Sequence, residues 1–423
     1  MTTIDNLDAP AATGHEPASV PGGAQVAGAE VGGALAALSD PDVRADPYPL
    51  LAALREASPF PTLDGGMVVV GRHADCGRIL RDPAVSSDRT RTRVFSTTPR
   101  RRPSFLFLDP PDHTRLRRLV SKAFTPRVIA GLEPRIRAIV DELFAAADPA
   151  AFDVIAGLSY PLPVRIISEM LGVPESDREK FAGWSDRLAQ GLDPQFVQAD
   201  PNLRRTLDDT RDEFLTYFAD LIAVRRGRPG DDLLSHLIRV EEDGDQLTEE
   251  DLLATCVLLL IAGHETTTNL IGNAILALLR HPDQLAELRA DPSLVPGAVE
   301  ESLRYDAPVQ ISTRIVRDSY RLGEIEAPDG AVLVLLLAAA GRDPDTYADP
   351  DRFDIRRAVG THLAFAAGPH FCLGAGLARL EAAVALEAFA TRVADPELAE
   401  VVYKPNVTLR GPGRLVVGTR GIA

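Results

Sequence analysis

Between Thr248 and His281 the chain carries a segment that any fold must accommodate as one long, mostly apolar helix. Thr248 followed by Asp251 is a capping-box start, and His281-Pro282 is a stop. The 32 residues after Thr248 span about 48 Å at the usual helical rise. A helix of this length and character has to cross a protein interior, so the rest of the chain must wrap it. Inside it, AGHETTTN (262–269) breaks the local rules. Gly263 costs about 1 kcal/mol against Ala in a helix interior. Thr266, Thr267 and Thr268 are β-branched and poor helix formers. Glu265 puts an ionisable group in an apolar stretch. Such conflict is expected where function overrides folding. A glycine lets the helix bulge and a ligand approach the backbone. A threonine hydroxyl can replace a broken backbone hydrogen bond or hold a small polar ligand. Taken alone, a kinked helix with an exposed acid explains the segment as well.

The chain is long enough to provide that wrapping: 423 residues, 45% hydrophobic and 25% charged, the composition of a globular protein with a large core. The net charge of −16 argues against a nucleic-acid binder, which needs a basic face for phosphates, and against docking on anionic membranes. Cys76, Cys256 and Cys372 are too sparse for a disulfide framework and are not at zinc-ribbon spacing. They fit a reducing, cytoplasmic setting. The first basic residue is Arg44, so the start lacks the charged region of a signal peptide. The longest apolar runs, 252–263 and 331–341, fall short of the ~20 residues that span a bilayer.

Residues 1–40 are rich in Ala, Gly and Pro and read as a flexible tail. From 41 to 423 no linker or internal repeat interrupts the chain. Length alone would suggest roughly two to three domains. Helical periodicity covers 112–124, 132–147, 164–171, 175–190 and 203–226 as well as the long helix. Short strands are expected at Met67–Val70, Ile311–Val316 and 332–337, with a C-terminal pair at 407–410 and 415–417. The fold class is therefore mainly α with a small β region.

Two further motifs carry chemistry. In EESLR (300–304), Glu301 and Arg304 share a helical face and can pair, a weak signal alone. After it, DAPVQISTR leads through a Pro-broken loop to Arg314 on a strand. The second motif is HLAFAAGPHFCLGAGLARLE (362–381). Phe365, Gly368, Cys372 and Gly374 form Phe-x-x-Gly-x-x-x-Cys-x-Gly. The glycines and Pro369 make a tight loop ahead of a helix. Backbone N–H groups and the helix dipole there favour a thiolate, and Gly374 removes a side chain next to the sulfur. An isolated cysteine at a helix start is more often structural; the spacing here points away from that. Cys76 and Cys256 have no such setting and read as packing residues.

At this loop the sequence resembles the cytochrome P-450 family, in its soluble bacterial class. The resemblance runs from about residue 41 onward. It includes, in the family's order, HTRLR, AGHETT, EESLR, DPDRF and FAAGPHFCLG. It implies a single α-rich domain at 41–423, the cytochrome P-450 fold, whose long central helix crosses the haem. It implies heme b (iron protoporphyrin IX) with Cys372 as the axial thiolate, a ligand that favours O–O cleavage. Phe365 would shield the sulfur side of the porphyrin. His113, Arg117, Arg314 and His370 match partners of the two propionates. Glu301, Arg304 and Arg352 match a structural triad. Glu265 and Thr266 match the acid–alcohol pair that delivers protons to dioxygen at the haem. Ala262 and Gly263 would leave room for oxygen, while Val309 and Ile311 would line the substrate pocket. Arg317, next to that strand, has no family match and reads as a solvated surface group. Two positions depart from the family: Ala366 stands where Gly is frequent, and Gly341 where Asn is usual.

The resemblance further implies a monooxygenase that hydroxylates or epoxidises an apolar small molecule. By analogy that molecule is a bacterial secondary metabolite such as a polyketide, macrolide, terpenoid or peptide. Electrons would come from NAD(P)H through ferredoxin reductase and ferredoxin to a monomer. Arg115, Arg118 and Lys122, on a second face of the 112–124 helix, are the expected ferredoxin contacts, although an ordinary solvated face explains them nearly as well. The basic runs at 89–93 and 100–102 read as solvated loop over the pocket. A peroxide-using haem-thiolate enzyme is the alternative that the acid–alcohol pair disfavours. A haem sensor without turnover is the other, and no output domain is visible for it.

Overall fold

The structure is a computed structural model that describes residues 33, 35–62, 66–92, 94, 103–192, 201–239, 241–242 and 245–423. Most of the expected tail and the basic run at 100–102 lie outside the described residues. Packing begins slightly before residue 41, since Leu38 is buried against the cluster of Tyr48, Leu51 and Leu54.

Helices dominate. In chain order the principal ones are α1 (Tyr48–Ala57), α2 (Asp112–Ser121), α3 (Pro126–Ala145), α4 (Pro161–Met170), α5 (Arg178–Ala189), α6 (Pro201–Gly227), α7 (Glu249–Arg280), α8 (Val295–Tyr305) and α9 (Ala375–Arg392). The long helix α7 begins where its sequence requires. Thr248 accepts from Asp251 N–H, and the Asp251 side chain accepts from the Thr248 backbone. Its second half, Leu270–Leu278, is buried on every face, as expected for a helix apolar all round. Around it pack α4, α5, α6, α8 and α9. Helix α3 starts six residues earlier than its periodicity suggests, because Thr125 caps it and Pro126 occupies its first turn. Among the described residues, no helix is long and apolar enough to cross a membrane.

The larger sheet has five strands: β1 (Phe60–Pro61), β2 (Met67–Val70), β3 (Val85–Ser86), β5 (Ile311–Val316) and β6 (Val332–Leu336). Their order is β1-β2-β6-β5-β3. Near the C-terminus, β7 (Glu397–Tyr403) pairs with β8 (Pro412–Gly418), and β8 pairs with β4 (Phe152–Asp153). The strand expected at 407–410 is corrected by this pairing. Those residues form the connection between β7 and β8, with one bridge from Leu409 to Val309. The true partner, β7, is mostly exposed, so it lacks the apolar alternation that would announce it.

The structural triad also differs from expectation. Arg304 grips Glu301 in a two-point contact, Nε to Oε2 at 2.7 Å and Nη2 to Oε1 at 2.8 Å. Its remaining N–H groups donate to the carbonyls of Gly341, Pro350 and Arg352. Arg352 therefore contributes its backbone, while its side chain points outward beside Asp354. The second guanidinium on Glu301 is Arg357, Nε to Oε1 at 3.1 Å. Gly341 has a packing reason too. A Cβ there would lie 2.5 Å from the Arg304 carbonyl.

Both Glu301 and Arg304 have side chains fully removed from solvent. Breaking such a pair leaves a buried charge, at a cost of about 3–5 kcal/mol. Arg304→Ala should therefore lower stability to chemical denaturation far more than Arg357→Ala, which leaves the two-point contact in place. Equal losses would contradict this division of roles. A second prediction concerns Glu381 on α9. It is buried, its Oε2 has no hydrogen-bond partner, and burial pushes its pKa up to about 8. Ionisation in the unfolded chain begins near the ordinary carboxylate value, so this group erodes stability as pH rises from about 4.5 to about 8. Glu381→Gln should gain on the order of a few kcal/mol at pH 8 and nothing near pH 4, as measured by denaturation at the two pH values.

Candidate active site

The loop ahead of α9 is held by its backbone. Cys372 N–H donates to the Phe365 carbonyl at 2.9 Å, and Phe371 N–H to the Gly368 carbonyl at 3.0 Å. Gly368 has φ of 69°, and a Cβ on it would meet the Leu80 carbonyl oxygen at 2.5 Å. Ala366 also sits in the left-handed region, at φ of 56°, which explains why glycine is the frequent residue there. Cys372 is exposed, whereas Cys76 and Cys256 are buried. Burial pushes the Cys256 thiol up to about 12 and the Cys76 thiol higher still, so both are inert packing residues. The crowded loop also raises the Cys372 thiol, but the Gly374 N–H, Arg117 and Arg379 act in the opposite sense. A Cβ at Gly374 would meet no other atom, so packing does not demand the glycine. Phe365 is buried beside the loop, with the Arg379 guanidinium 4.6 Å from its ring centre.

Facing this loop is a nest of cations and imidazoles. His113 and Arg117 are one turn apart on α2, Arg314 is on β5, and His370 precedes Cys372. The two imidazoles lie 4.0 Å apart, centroid to centroid. Arg117 Nη2 donates to the Phe371 carbonyl at 2.5 Å. Strand register decides which side chains face this way. Ile311 is opposite Leu336 and Arg314 is opposite Leu333. Leu333 packs with Cys76, Leu363 and Ala367 on the loop side, whereas Leu336 packs with Tyr48 and Leu51 on the other. Period-two alternation thus sends Arg314 towards the loop and Ile311 away from it. Ile311, expected beside the pocket, lies against Leu38 and Leu51 instead. Val309 packs with the loop-side cluster.

On α7 the helix is unbroken through Ala262 and Gly263. The Thr266 hydroxyl donates to the Ala262 carbonyl at 2.7 Å, a back-bond within an intact turn. A Cβ at Gly263 would touch Ile167 at an ordinary 3.5 Å, so packing does not force the glycine. Glu265 is not an exposed acid. It is buried, with Lys404 Nζ 2.7 Å from Oε1. No spacing in the sequence connects these two residues. Beside them, His264 Nδ1 contacts Ser185 Oγ at 2.7 Å, and Tyr160 donates to Asp186 at 2.9 Å. Burial pushes His264 down to about 3.

The nest suits a cofactor with two carboxylates. His113 is only 2% exposed, yet neither ring nitrogen has a hydrogen-bond partner. Burial and the neighbouring Arg117 hold its pKa below the ordinary value. Arg314 is brought down to about 10 by burial, and His370 to about 3 by burial, His113 and Arg314. The nearest acid, Asp109, is engaged by Ser86, Ser87 and Arg317. Arg317, expected as a solvated group, is in fact tied to it at 2.5 Å. Buried donors and cations left short of anions fit the propionates of a haem, with Cys372 as the available sulfur ligand.

Two substitutions probe the loop. Gly368→Ala needs both a left-handed alanine and displacement of Leu80, and should abolish haem loading. Ala366→Gly relieves a left-handed residue, and should raise the unfolding free energy by about 1 kcal/mol. Absorbance in the Soret region and denaturant titration measure the two outcomes.

The chain is similar to known proteins along most of its length. A sequence profile described as Cytochrome P450 matches residues 61–392. Cytochrome P450 monooxygenase PikC of Streptomyces venezuelae is 43% identical over 386 residues, covering 88% of this chain and 90% of PikC. The 6-deoxyerythronolide B hydroxylase of Saccharopolyspora erythraea is 40% identical, over 74% of this chain and 77% of the hydroxylase. The ligand-free crystal structure of Mycobacterium smegmatis CYP164A2 superposes with a TM-score of 0.86 at 49% identity, over 92% of this chain and all of that one. With a matching profile across most of its length, relatives aligned over 77–90% of their own chains and the same helical fold, this chain belongs to the cytochrome P450 family and is a haem monooxygenase of the bacterial type.

Proposed function

We propose that Cys372 is the axial ligand of the haem and that His113, Arg117, Arg314 and His370 hold its propionates. One observation carries this reading. The only exposed cysteine among the described residues lies in a loop whose Phe371 carbonyl accepts from Arg117 and whose His370 stacks near His113, a buried imidazole with no partner on either nitrogen. Phe365 covers the sulfur side, and the Gly374 N–H donates towards the sulfur. The bound haem supplies the redox chemistry by which one atom of dioxygen enters the substrate and the other becomes water, at the expense of two electrons and two protons.

The protein's own part in that reaction is to place groups and move protons. Thr266 presents a hydroxyl next to Ala262 and Gly263, where a small polar molecule can be held. Glu265, one residue earlier, is the ionisable group that can carry protons to it. The presence of both residues favours dioxygen over peroxide as oxidant. Electrons reach the haem from NAD(P)H through ferredoxin reductase and ferredoxin. Arg115 and Arg118 on α2, with Lys122 just after it, are the basic residues proposed to receive the acidic carrier; Arg115 also meets Asp251 at 3.1 Å. Ala262, Gly263 and Val309 are the proposed pocket contacts of an apolar substrate of the secondary-metabolite kind. The oxidation is a hydroxylation or epoxidation, in keeping with the relatives.

Reduced wild-type protein with carbon monoxide should show the strongly red-shifted Soret band of a thiolate-bound haem. Cys372→Ala should lose that band, and Cys76→Ala and Cys256→Ala should keep it. A retained band in Cys372→Ala would refute the assignment. Thr266→Ala should keep the band yet divert oxygen to peroxide, lowering the product formed per oxygen consumed.

A further inference from the structure

Glu265 is held by a residue from the far end of the chain. Its side chain is 6% exposed, and Lys404 Nζ lies 2.7 Å from its Oε1. The same ammonium donates to Asn269 Oδ1 at 3.2 Å, and Asn269 Nδ2 approaches Glu265 Oε1 at 3.4 Å. Lys404 directly follows β7, and its N–H donates to the Gly411 carbonyl at 3.1 Å. Gly411 is pressed against α7. A Cβ on it would come within 2.3 Å of Asn269 Oδ1. The hairpin is therefore docked on the helix at the point where the ammonium enters.

The other groups around Glu265 cannot take the place of Lys404. His264, on the same helix, is kept neutral by burial and is hydrogen-bonded to Ser185 of α5. Asp186 of α5 is a like charge, and its pKa is raised by burial and by Glu265. Tyr160, at the head of α4, donates to Asp186. Lys404 is the single cation that contacts the carboxylate among the described residues. Its side chain is 19% exposed, so it also marks where solvent comes closest to the acid.

We propose that Lys404 is the positioning residue of the proton-delivering acid. Its ammonium holds the Glu265 side chain turned towards the β7–β8 hairpin. In each delivery the carboxylate leaves Lys404, takes one proton from solvent, gives it up on the Thr266 side and returns to the ion pair. The inference rests on Glu265 being that acid. Without the ammonium, a buried carboxylate is uncompensated, and its resting orientation is lost.

The test uses haem-loaded protein with NADPH, a plant-type ferredoxin and its reductase, and follows oxygen uptake in H2O and D2O. Lys404→Met should slow uptake by about tenfold and enlarge the solvent isotope effect, with the carbon monoxide band unchanged. Lys404→Arg should restore both. Lys404→Gln replaces the methionine variant if the latter does not load haem. A second measurement is independent of turnover. The unfolding midpoint should fall by about 5 °C in Lys404→Met, and by much less when the change is made in a Glu265→Gln background. A lowered midpoint with wild-type uptake and isotope effect would make the pair purely structural and overturn the proposal. Unchanged uptake and isotope effect in Glu265→Gln alone would instead remove the acid role itself, and the inference with it.

Discussion

The burial of α7 is the constraint on which the rest of the structure depends. A helix of 32 residues whose second half is covered on all sides has no solvent to satisfy its polar side chains. Several of them find partners in the elements packed around it. Asn273 donates to the carbonyls of Asp306 and Arg410, Glu265 is met by Lys404, and Asp251 by Arg115. The helix thereby fixes the positions of α2, the segment after α8 and the C-terminal hairpin. The site is assembled from the same contacts that make the core soluble to its own polar groups.

Electrostatics follow a second rule, in which cations gather where no protein anion balances them. In the triad both guanidiniums reach an anion of the chain: Arg304 and Arg357 meet Glu301. Around His113 they do not. Burial lowers His113, Arg117, Arg314 and His370 alike, and Asp109 is already shared among three other residues. The first arrangement holds its anion within the chain; the second fits the carboxylates of the proposed cofactor.

Local signals were readable in the sequence and remote pairings were not. Thr248 and Asp251 announced the start of α7, and β5 lies at the residues its pattern marked. The loop spacing singled out Cys372 from the other two cysteines. Its neighbours His113 and Arg314 became legible only through family resemblance, because no local pattern links a helix to a strand 200 residues on. Arg357 was missed in favour of Arg352, since both are arginines in one short irregular stretch and only the folded path shows which side chain turns inward. Ile311 stands three residues before Arg314 on β5, so alternation puts the two on opposite faces and only one of them can face the loop. Lys404 left no trace at all. An ion pair between residues 139 positions apart has no periodicity to betray it.

Arg117 and the Phe371 carbonyl that it binds are 254 residues apart. Contacts of such separation form late, because the entropy of closing the loop between them must be met first. During synthesis, helix α2 leaves the ribosome long before the loop that carries Cys372. One side of the nest is thus synthesised well before the loop that carries the sulfur. Truncation of even the last fifth of the chain removes Cys372, the proposed ligand, while leaving His113, Arg117 and Arg314 of the nest.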